Sequence, residues 1–473
     1  MSSSLRETDP LLPRVPAAPS RRKPSFVWLI PVVVLASICR GISMFARFEH
    51  YQKTFCPVSQ PCGSFSKWLE LPGITVMIQT WGVWASFIVS FLSVGWWSAL
   101  GDRRGRKIVL FASILGTAFL DLMYLIVANV SLSPSREDAQ DLLSVGLIAE
   151  GLLGGFATYN GVVHAYAFDV ASTPLSRPVL FGVVDALSFV GFIIGAIIGK
   201  LTRYNVSYIF SIFIAIANLA FIYAVLPKSL KQQDGARSVT SQPSVFKSVF
   251  SPISVFFRGA GSPKSIPLLG LAFYVFSLTS AMETSVLRWT PSSPFLPGFP
   301  RWLLLTTPRI LELATLLCII PGIAWYWQRK YGTTERAGLH LAATLSHNSI
   351  LVGALSCIAV LVFCIPNTAT VLYPIFAPLY PLSVAATPAL YALGAAYFVA
   401  LGRRAEIGSL FGALAIWGEL ALYMSYSLYG PGEYVFWESA FYLVVALILL
   451  LPDPPRSQEE GVSQAGESQV CNA

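Results

Sequence analysis

The stretch Ser98-Ala99-Leu100-Gly101-Asp102-Arg103-Arg104-Gly105-Arg106-Lys107 separates two long apolar segments. Four cations and one carboxylate lie within the six residues after Gly101, and Gly105 supplies the conformational freedom of a tight turn. Charge at this density cannot lie in hydrocarbon, so the stretch marks a membrane face. Because cytoplasmic loops carry an excess of Lys and Arg, we expect that face to be cytoplasmic. This basic hairpin therefore predicts a membrane protein.

The composition of the whole chain indicates the same class. Of 473 residues, 55% are hydrophobic and only 12% are charged, which is far from the balance of a soluble domain. The formal net charge is +8 at pH 7, but the cations lie in short loops between apolar segments, so we expect no nucleic-acid partner. Seven cysteines are too few for a disulfide-built scaffold. We therefore predict an all-α integral membrane protein in a lipid bilayer.

Apolar segments long enough to cross a bilayer recur twelve times, in two sets of six. The first set comprises residues 25–45, 75–100, 108–130, 142–169, 179–201 and 208–226, and the second comprises 266–287, 302–327, 345–365, 368–401, 407–428 and 435–451. The pattern predicts a disordered cytoplasmic N-tail (1–24), an N-terminal bundle (25–227), a cytoplasmic central loop (228–265), a C-terminal bundle (266–452) and a cytoplasmic C-tail (453–473). Two such bundles are typical of proteins that rock about a midplane site.

The distribution of Lys and Arg predicts that both chain ends are cytoplasmic, because most of the 32 cations then fall in inside segments. The loop with Cys56 and Cys62 then lies outside the cell or in an organelle lumen, where a disulfide is possible but not required. Residues 7–12, Glu-Thr-Asp-Pro-Leu-Leu, are similar to an acidic dileucine sorting signal, which in a fungal protein suggests the vacuole. Plain tail is the alternative, so we expect a multi-pass protein of the vacuolar or plasma membrane.

The basic hairpin resembles the loop between the second and third helices of the major facilitator superfamily. That pattern is Gly-x-x-x-Asp-Arg-x-Gly-Arg-Lys, and Ser98 stands in place of the first Gly. The resemblance implies the major facilitator fold, with twelve transmembrane helices in two six-helix bundles. It also implies a conformational latch between the bundles, formed by Asp102, Arg103, Gly105 and Arg106. From the residues alone, Asp102 can cap the start of the third span and pair with Arg106 or Arg103, or the hairpin can simply set topology.

A second stretch is similar to the region that joins the fourth and fifth helices in the proton-coupled folate transporter and tetracycline-resistance branches. It comprises Asp169-Val-Ala-Ser, Arg177, Phe181, Asp185-Ala, Gly191, Gly195 and Gly199. The resemblance adds Asp169 and Arg177 to the latch. The glycines are four residues apart, which leaves one helix face bare enough for close packing against a neighbour. Drug-proton antiporters often carry Gly-Pro where this chain has Gly195-Ala196, which disfavours that class.

Ionisable side chains at membrane depth are costly and therefore mark candidate positions on a substrate or proton path. On the fourth span, Glu150 and His164 are fourteen residues apart. On a continuous helix this places them within about 40° of each other and roughly 21 Å apart along the axis. Asn160 lies between them. They can mark two ends of a lined path, and a packing role for His164 is the alternative.

Asp185, inside the fifth span, is the preferred proton carrier. A carboxyl group held away from water favours its protonated form and can exchange a proton as access alternates. A structural partner for an Arg or Tyr is the alternative. Arg40, on the first span, can neutralise this carboxylate or hold an anionic substrate, and Glu283, on the seventh, can line the path or pair with Arg288. We assign no role to three further carboxylates, Asp121, Glu312 and Glu419.

Five prolines lie between residues 366 and 388, one just before the tenth span and four within it. Proline removes a backbone donor and disrupts a helix, so we expect this span to kink or break. Tyr373 and Tyr380 are interleaved with the prolines and can offer stacking and hydrogen bonds to an aromatic or amphipathic solute. A bent packing helix is the alternative.

The sequence contains no nucleotide-binding signature, no metal-spaced His and Cys cluster and no nucleophile elbow, which disfavours an ATP-driven pump and an enzyme. We predict no cofactor and no metal. The chain is interpreted as a monomeric secondary transporter that moves a small organic solute by alternating access, with a proton gradient as the drive. Two alternatives stay open: a multidrug-type proton antiporter that exports its substrates, and a non-transporting receptor or membrane scaffold.

Overall fold

Long apolar helices make up most of the described chain. The computed structural model describes residues 24–55, 74–129, 136–229, 250–257, 265–279, 301–364, 377–428 and 434–449. Within these residues, ten helical stretches are long and apolar enough to cross a membrane, and no strand occurs. The prediction of an all-α integral membrane fold is therefore confirmed.

Short turns join several successive helices in the described residues. In the first half they are α1 (Leu29–Phe55), α2 (Ile74–Arg104), α3 (Arg106–Asn129), α4 (Arg136–Leu152), α5 (Gly155–Val170), α6 (Ser176–Leu201) and α7 (Tyr204–Ala224). In the second half they are α8 (Ser251–Ser254), α9 (Ser265–Leu278), α10 (Arg301–Ala314), α11 (Ile320–Tyr331), α12 (Glu335–Cys364), α13 (Ala386–Ala400), α14 (Ile407–Leu428) and α15 (Tyr434–Leu449). The pairs joined by short turns include α2 and α3, α5 and α6, and α11 and α12. A π-helical segment, Thr315–Ile319, joins α10 to α11.

Each of the twelve predicted spans coincides with helix in the described residues. Two of the helices, α9 and α15, have only 14 and 16 described residues. A helix needs about 20 apolar residues to cross the hydrocarbon core. For these two, complete crossing therefore stays a prediction.

The fourth predicted span consists of two helices, α4 and α5. Gly154 joins them with a φ of 105°, and Gly155 follows with a φ of 58°. Both lie in the left-handed region, which glycine enters without the steric cost that other residues incur. The prediction of a continuous helix through Glu150 and His164 is therefore wrong, and the separation calculated for it does not apply.

The tenth predicted span is also interrupted, as its prolines indicate. A 3-10 stretch, Ala377–Ala385, contains Pro381 and leads into α13. Proline cannot donate the backbone hydrogen bond that a regular α-helix requires, so this stretch takes up another geometry. The predicted break in this span is confirmed.

The glycines of α6 lie against α1. A Cβ at Gly195 would overlap the carbonyl oxygen of Ile38, and Gly191 and Gly199 come similarly close to the α1 backbone. Two helices can approach to this distance only where side chains are absent. The predicted packing role of these glycines is confirmed.

The two halves of the chain contact each other along two lines. The helix α14 packs against both α2 and α5, and a Cβ at Gly161 would meet the backbone of Gly412. The helix α6 packs against α13 and the π-helical segment. The side chains described next lie along these two lines.

Candidate functional site

Asp102 joins the basic hairpin to the second half of the chain. Its carboxylate lies 2.6 Å from Nη1 of Arg106 and accepts hydrogen bonds of 3.0 Å from the backbone N–H groups of Gly408 and Ser409. The hydroxyl of Ser409 donates a third hydrogen bond, also of 3.0 Å. The predicted pair with Arg106 is confirmed. The predicted cap is wrong in its target, because Asp102 caps the start of α14 and not the start of α3.

Arg106 extends this cluster to the end of α5. Its Nε lies 3.3 Å from Oδ2 of Asp169, which also accepts a hydrogen bond of 2.8 Å from the hydroxyl of Ser229. Gly105 makes the turn with a φ of 104°, and Arg103 is exposed. A guanidinium that is only 2% exposed thus has two carboxylates as partners, which meets the requirement that a buried charge be paired.

Arg177 makes a second ionic contact between the halves. Two of its nitrogens donate to the two carboxylate oxygens of Glu335 at 2.8 and 2.7 Å, and its guanidinium lies over the ring of Phe168. Parallel bidentate bonds of this kind are the stronger form of a carboxylate pair. Glu335 is the first residue of α12, so its charge also favours the helix start. We did not predict a role for Glu335. The only local signal for such a role is its position just after the turn at Gly332.

His164 and Asp185 come together between α5 and α6. Nε2 of His164 lies 3.3 Å from Oδ1 of Asp185, and Nδ1 lies 2.8 Å from the carbonyl oxygen of Asn160. The imidazole stacks on the ring of Tyr391 from α13, with centroids 4.4 Å apart and an interplanar angle of 9°. The ring of Phe181 packs edge-to-face against the imidazole, and the ring of Phe411 packs edge-to-face against Tyr391. Two residues that were predicted separately thus form one site, and Tyr391 joins it from the other half.

Arg40 lies beside the break between α4 and α5. Its guanidinium carbon is 3.8 Å from the ring centroid of Phe156 and 4.7 Å from that of Tyr159. Nη1 of Arg40 and the hydroxyl of Tyr159 are buried, and neither has a hydrogen-bond partner among the described residues. Glu150, the predicted site residue on α4, accepts a hydrogen bond of 3.2 Å from the hydroxyl of Thr117. Arg40 therefore does not pair with Asp185, as one interpretation of the sequence had it.

All three carboxylates that we left without a role have defined partners, and that of Glu312 is Arg309, whose Nη1 lies 3.0 Å from Oε2. Asp121 binds Nη2 of Arg47 at 2.8 Å and accepts bonds of 2.6 Å from both Ser43 and Ser211. Glu419 accepts a bond of 2.9 Å from the hydroxyl of Tyr423. The cost of ionisable groups at membrane depth, which indicated Asp185, applies equally to Glu419 and could have found it.

The remaining predicted residues divide into two groups. Tyr380 is buried, and its hydroxyl donates to the carbonyl of Thr279 at 3.0 Å, which is a structural contact. Cys56, Cys62, Glu283 and Tyr373 lie outside the described residues. Within the described residues, no group of three or more His, Cys, Asp or Glu side chains is arranged to hold a metal ion.

Comparison with known proteins relates the chain to transporters. No protein-family model matches it. The MFS-type transporter avaJ of Aspergillus versicolor is 25% identical over 326 residues, which span 62% of this chain and 62% of the length of that protein.

Solved structures show the fold. The human organic anion transporter MFSD10 has a TM-score of 0.63 at 16% identity, over 92% of this chain and 100% of that one. The fucose:proton symporter FucP of E. coli has a TM-score of 0.57 at 13% identity, over 90% and 97%. The proton:xylose symporter XylE has a TM-score of 0.59 at 13% identity, over 91% and 96%. The chain is therefore a multi-pass membrane protein with the fold of major facilitator superfamily transporters and is a homologue of an MFS-type transporter.

Proposed function

We propose that the chain is a secondary active transporter that moves a small organic solute by alternating access and is driven by protons. Residues 25–227 and 266–452 would be the two bundles that move. The observation that carries the proposal is the contact of His164 with Asp185 and Tyr391, because it combines a proton-binding pair with a contact between the two halves.

The hydrogen-bond geometry indicates that the pair holds one proton. Nδ1 of His164 faces the carbonyl oxygen of Asn160, which has no proton, so Nδ1 must carry the hydrogen. In a neutral imidazole Nε2 then carries no hydrogen, and its lone pair faces the carboxylate of Asp185. Two acceptors repel each other in this position. A proton on either Nε2 or Asp185 turns this repulsion into an attraction.

The same proton acts on the contact between the halves. His164 stacks on Tyr391 of α13, and a protonated imidazole over an aromatic face gains a cation–π attraction. The Asp185 side chain keeps 25% of its surface exposed, against 4% for His164, so protons would reach the pair through the carboxyl group. Proton loss would weaken the bridge to α13 and allow the halves to separate there.

The ionic contacts of Asp102 and Arg177 hold the halves together in the same conformation as the contact of His164 with Tyr391. Both join the halves at the turns α2–α3, α5–α6, α11–α12 and α13–α14, which lie at one end of the molecule because the helices alternate in direction. We propose that this end is cytoplasmic and that both contacts break when the transporter opens there. The residues of the latch would then be Asp102, Arg103, Gly105, Arg106, Asp169 and Arg177.

Two more specific proposals concern the class of solute and the branch of the superfamily. FucP and XylE are described as proton symporters, which supports proton coupling, and MFSD10 is described as an organic anion transporter, which suits the partly buried cation Arg40. We further propose kinship with the folate-transporter and tetracycline-resistance branches from the stretch at residues 169–199, and residence in the vacuolar or plasma membrane of a fungus.

Transport by reconstituted protein tests the proposal. An uptake and export screen with cells that produce or lack the protein supplies a solute, and proteoliposomes then measure its flux under an imposed proton gradient. The Asp185→Asn variant should weaken the dependence of flux on pH, because the amide cannot bind the proton. Asp141→Asn is the matched control. Asp141 is exposed and lies near the start of α4, at the end opposite the break at Gly154. Flux that stayed equally pH-dependent in Asp185→Asn would refute the proton site. A wild-type chain that moved no solute under any gradient would favour a receptor.

A further inference from the structure

The break between α4 and α5 places the start of a helix inside the membrane-spanning region. The end of α4 is satisfied, because Ser93 donates to the carbonyl of Gly151 at 2.7 Å and Trp97 donates to that of Leu152 at 2.8 Å. The first N–H groups of α5 have no partner within that helix. A helix start carries a partial positive charge and attracts anions.

One carboxylate already lies at this helix start. Glu419, on α14 in the other half of the chain, lies beside the backbone of Ala157, the third residue of α5. Its Oε2 is buried and has no hydrogen-bond partner in the part of the chain that the structure describes. The contact is therefore incomplete, and it crosses between the two halves.

Arg40 lies over the first two turns of the same helix. It stacks on Phe156 and Tyr159, and its Nη1 is buried without a partner. Glu150 and Glu419 are the carboxylates whose charges act on it. A guanidinium carries five N–H donors. Because Nη1 of Arg40 donates to no described residue, the side chain can donate to a further acceptor.

The charges of this region do not balance. Arg47 is paired with Asp121 at 2.8 Å, which leaves Arg40 to face Glu150 and Glu419. Two carboxylates beside one cation make a surplus negative charge, which is costly away from water. A further anion would double this surplus unless one of the two carboxylates took up a proton.

From these observations we propose that Arg40 and the start of α5 bind the carboxylate of the transported solute, and that Glu419 occupies this place when the solute is absent. On binding, the solute carboxylate takes the hydrogen bonds of Nη1 and of the α5 backbone, while Glu419 takes up one proton from solution and is released. The total charge around Arg40 is the same before and after, so each carboxylate enters with one proton. The solute class is therefore a carboxylic acid anion. This inference rests on the proposed transport function and names its substrate.

The groups that face Glu419 identify it as the proton acceptor of this step. They are Arg40, Glu150 and Tyr423, with Tyr159 beside Arg40. Glu150 is held by Thr117 on α3 within its own half. Glu419 is the carboxylate that crosses between the halves, so its release from α5 also changes how α14 contacts α5.

Equilibrium binding to the purified full chain tests this proposal. The probes are benzoate, nicotinate and indole-3-acetate, each compared with its uncharged amide. Calorimetry in two buffers of different ionisation enthalpy gives both the affinity and the number of protons taken up. We expect at least one carboxylate to bind while its amide does not, with about one proton taken up per anion, as the charge count around Arg40 requires.

Two variants separate the role of Arg40 from that of Glu419. Arg40→Met should weaken binding roughly tenfold to a hundredfold, the loss expected for a hydrogen-bonded charge. Glu419→Gln should still bind the anion but without proton uptake. The amide of Gln has nearly the shape of the carboxylate, so this variant keeps the test valid if Arg40→Met does not fold. Asp141→Asn should match the wild type in both quantities.

Several outcomes would overturn this proposal. They are equal affinity for acid and amide, no binding of any of the carboxylates at millimolar concentration, binding that ignores Arg40→Met, or proton uptake that survives in Glu419→Gln. The test is separate from that of the transport proposal. Flux that is insensitive to Asp185→Asn leaves the Arg40 result standing, whereas a negative binding result leaves coupling at His164 and Asp185 intact.

Discussion

At the scale of single residues, the contacts of Asp102 differ in expected strength. The carboxylate is the charge partner of buried Arg106 and accepts the two backbone N–H groups at the start of α14, whereas Ser409 adds one hydroxyl bond to it. Breaking a buried ion pair leaves an uncompensated charge, whereas losing one hydroxyl bond leaves the backbone bonds in place.

We therefore expect Asp102→Asn to lower the free energy of unfolding by about 3 kcal/mol, the low end for a broken buried pair, because Asp169 still partners Arg106. Ser409→Ala should lower it by only about 1 kcal/mol. Denaturant titration of both variants in mixed micelles measures the difference. Equal losses in the two variants would show that the charge of Asp102 contributes nothing beyond its hydrogen bonds.

The shared proton of His164 and Asp185 predicts strong coupling between their substitutions. Because either single change destroys the pair, His164→Gln and Asp185→Asn should each weaken the pH dependence of flux to the same extent, and the double variant should be no worse than either single one. Flux measured in proteoliposomes over a range of pH completes the double-mutant cycle. Tyr391→Phe is the control, since it keeps the ring that stacks on the imidazole. Additive losses would indicate that the two residues act independently.

At the scale of elements, the packing of α1 on α6 depends on absent side chains. A Cβ at Gly195 would overlap the backbone of α1, whereas a Cβ at Gly322 in α11 would meet nothing within 4 Å. Gly195→Ala should therefore force the helices apart and destabilise the protein by about 1–3 kcal/mol, as overpacking does. Gly322→Ala should be neutral or stabilise by up to about 1 kcal/mol, because Ala is the better helix former. Thermal unfolding of the two variants compares them; a stable Gly195→Ala protein would contradict the close approach.

The elements show which features local sequence could predict. The pair of Asp102 with Arg106 was predictable because the two residues are four apart, but Gly408 is 306 residues away and no local pattern indicates it. His164 and Asp185 were each indicated by the cost of polar groups in hydrocarbon, but their contact depends on how α5 lies against α6.

The break at Gly154 was hidden by hydropathy, which remains high through the junction of α4 and α5. The dipeptide Gly154-Gly155 was the available signal, since paired glycines mark turns. Reading it as a break would also have corrected the separation of Glu150 from His164. The pairing of Arg177 with Glu335 was beyond such reasoning, because an ion pair between distant segments is a product of the tertiary arrangement.

At the scale of the whole molecule, the described conformation is closed at one end by two ionic contacts between the halves. Each contact uses a residue beside a short turn, so a small rotation of one half against the other separates both at once. In a protein that alternates between two arrangements, such contacts must be strong enough to select one state and weak enough to be broken by the solute or the proton. Bonds at helix starts meet this condition, because water can replace them when that end opens.

A reversible cross-link tests whether that end opens during transport. Pro174, in the turn before α6, faces Gly338 of α12, where a Cβ would lie 2.6 Å from the Cβ of Pro174. Disulfides join Cβ atoms about 3.5–4.5 Å apart, so Pro174→Cys with Gly338→Cys should cross-link after a small adjustment. In a background with all seven native cysteines changed to Ser, the oxidised protein should lose solute flux and regain it on reduction. Pro174→Cys with Gly322→Cys should neither cross-link nor lose flux. Full flux through the cross-linked protein would show that this end stays closed throughout the cycle, and the halves would then have to move about another contact.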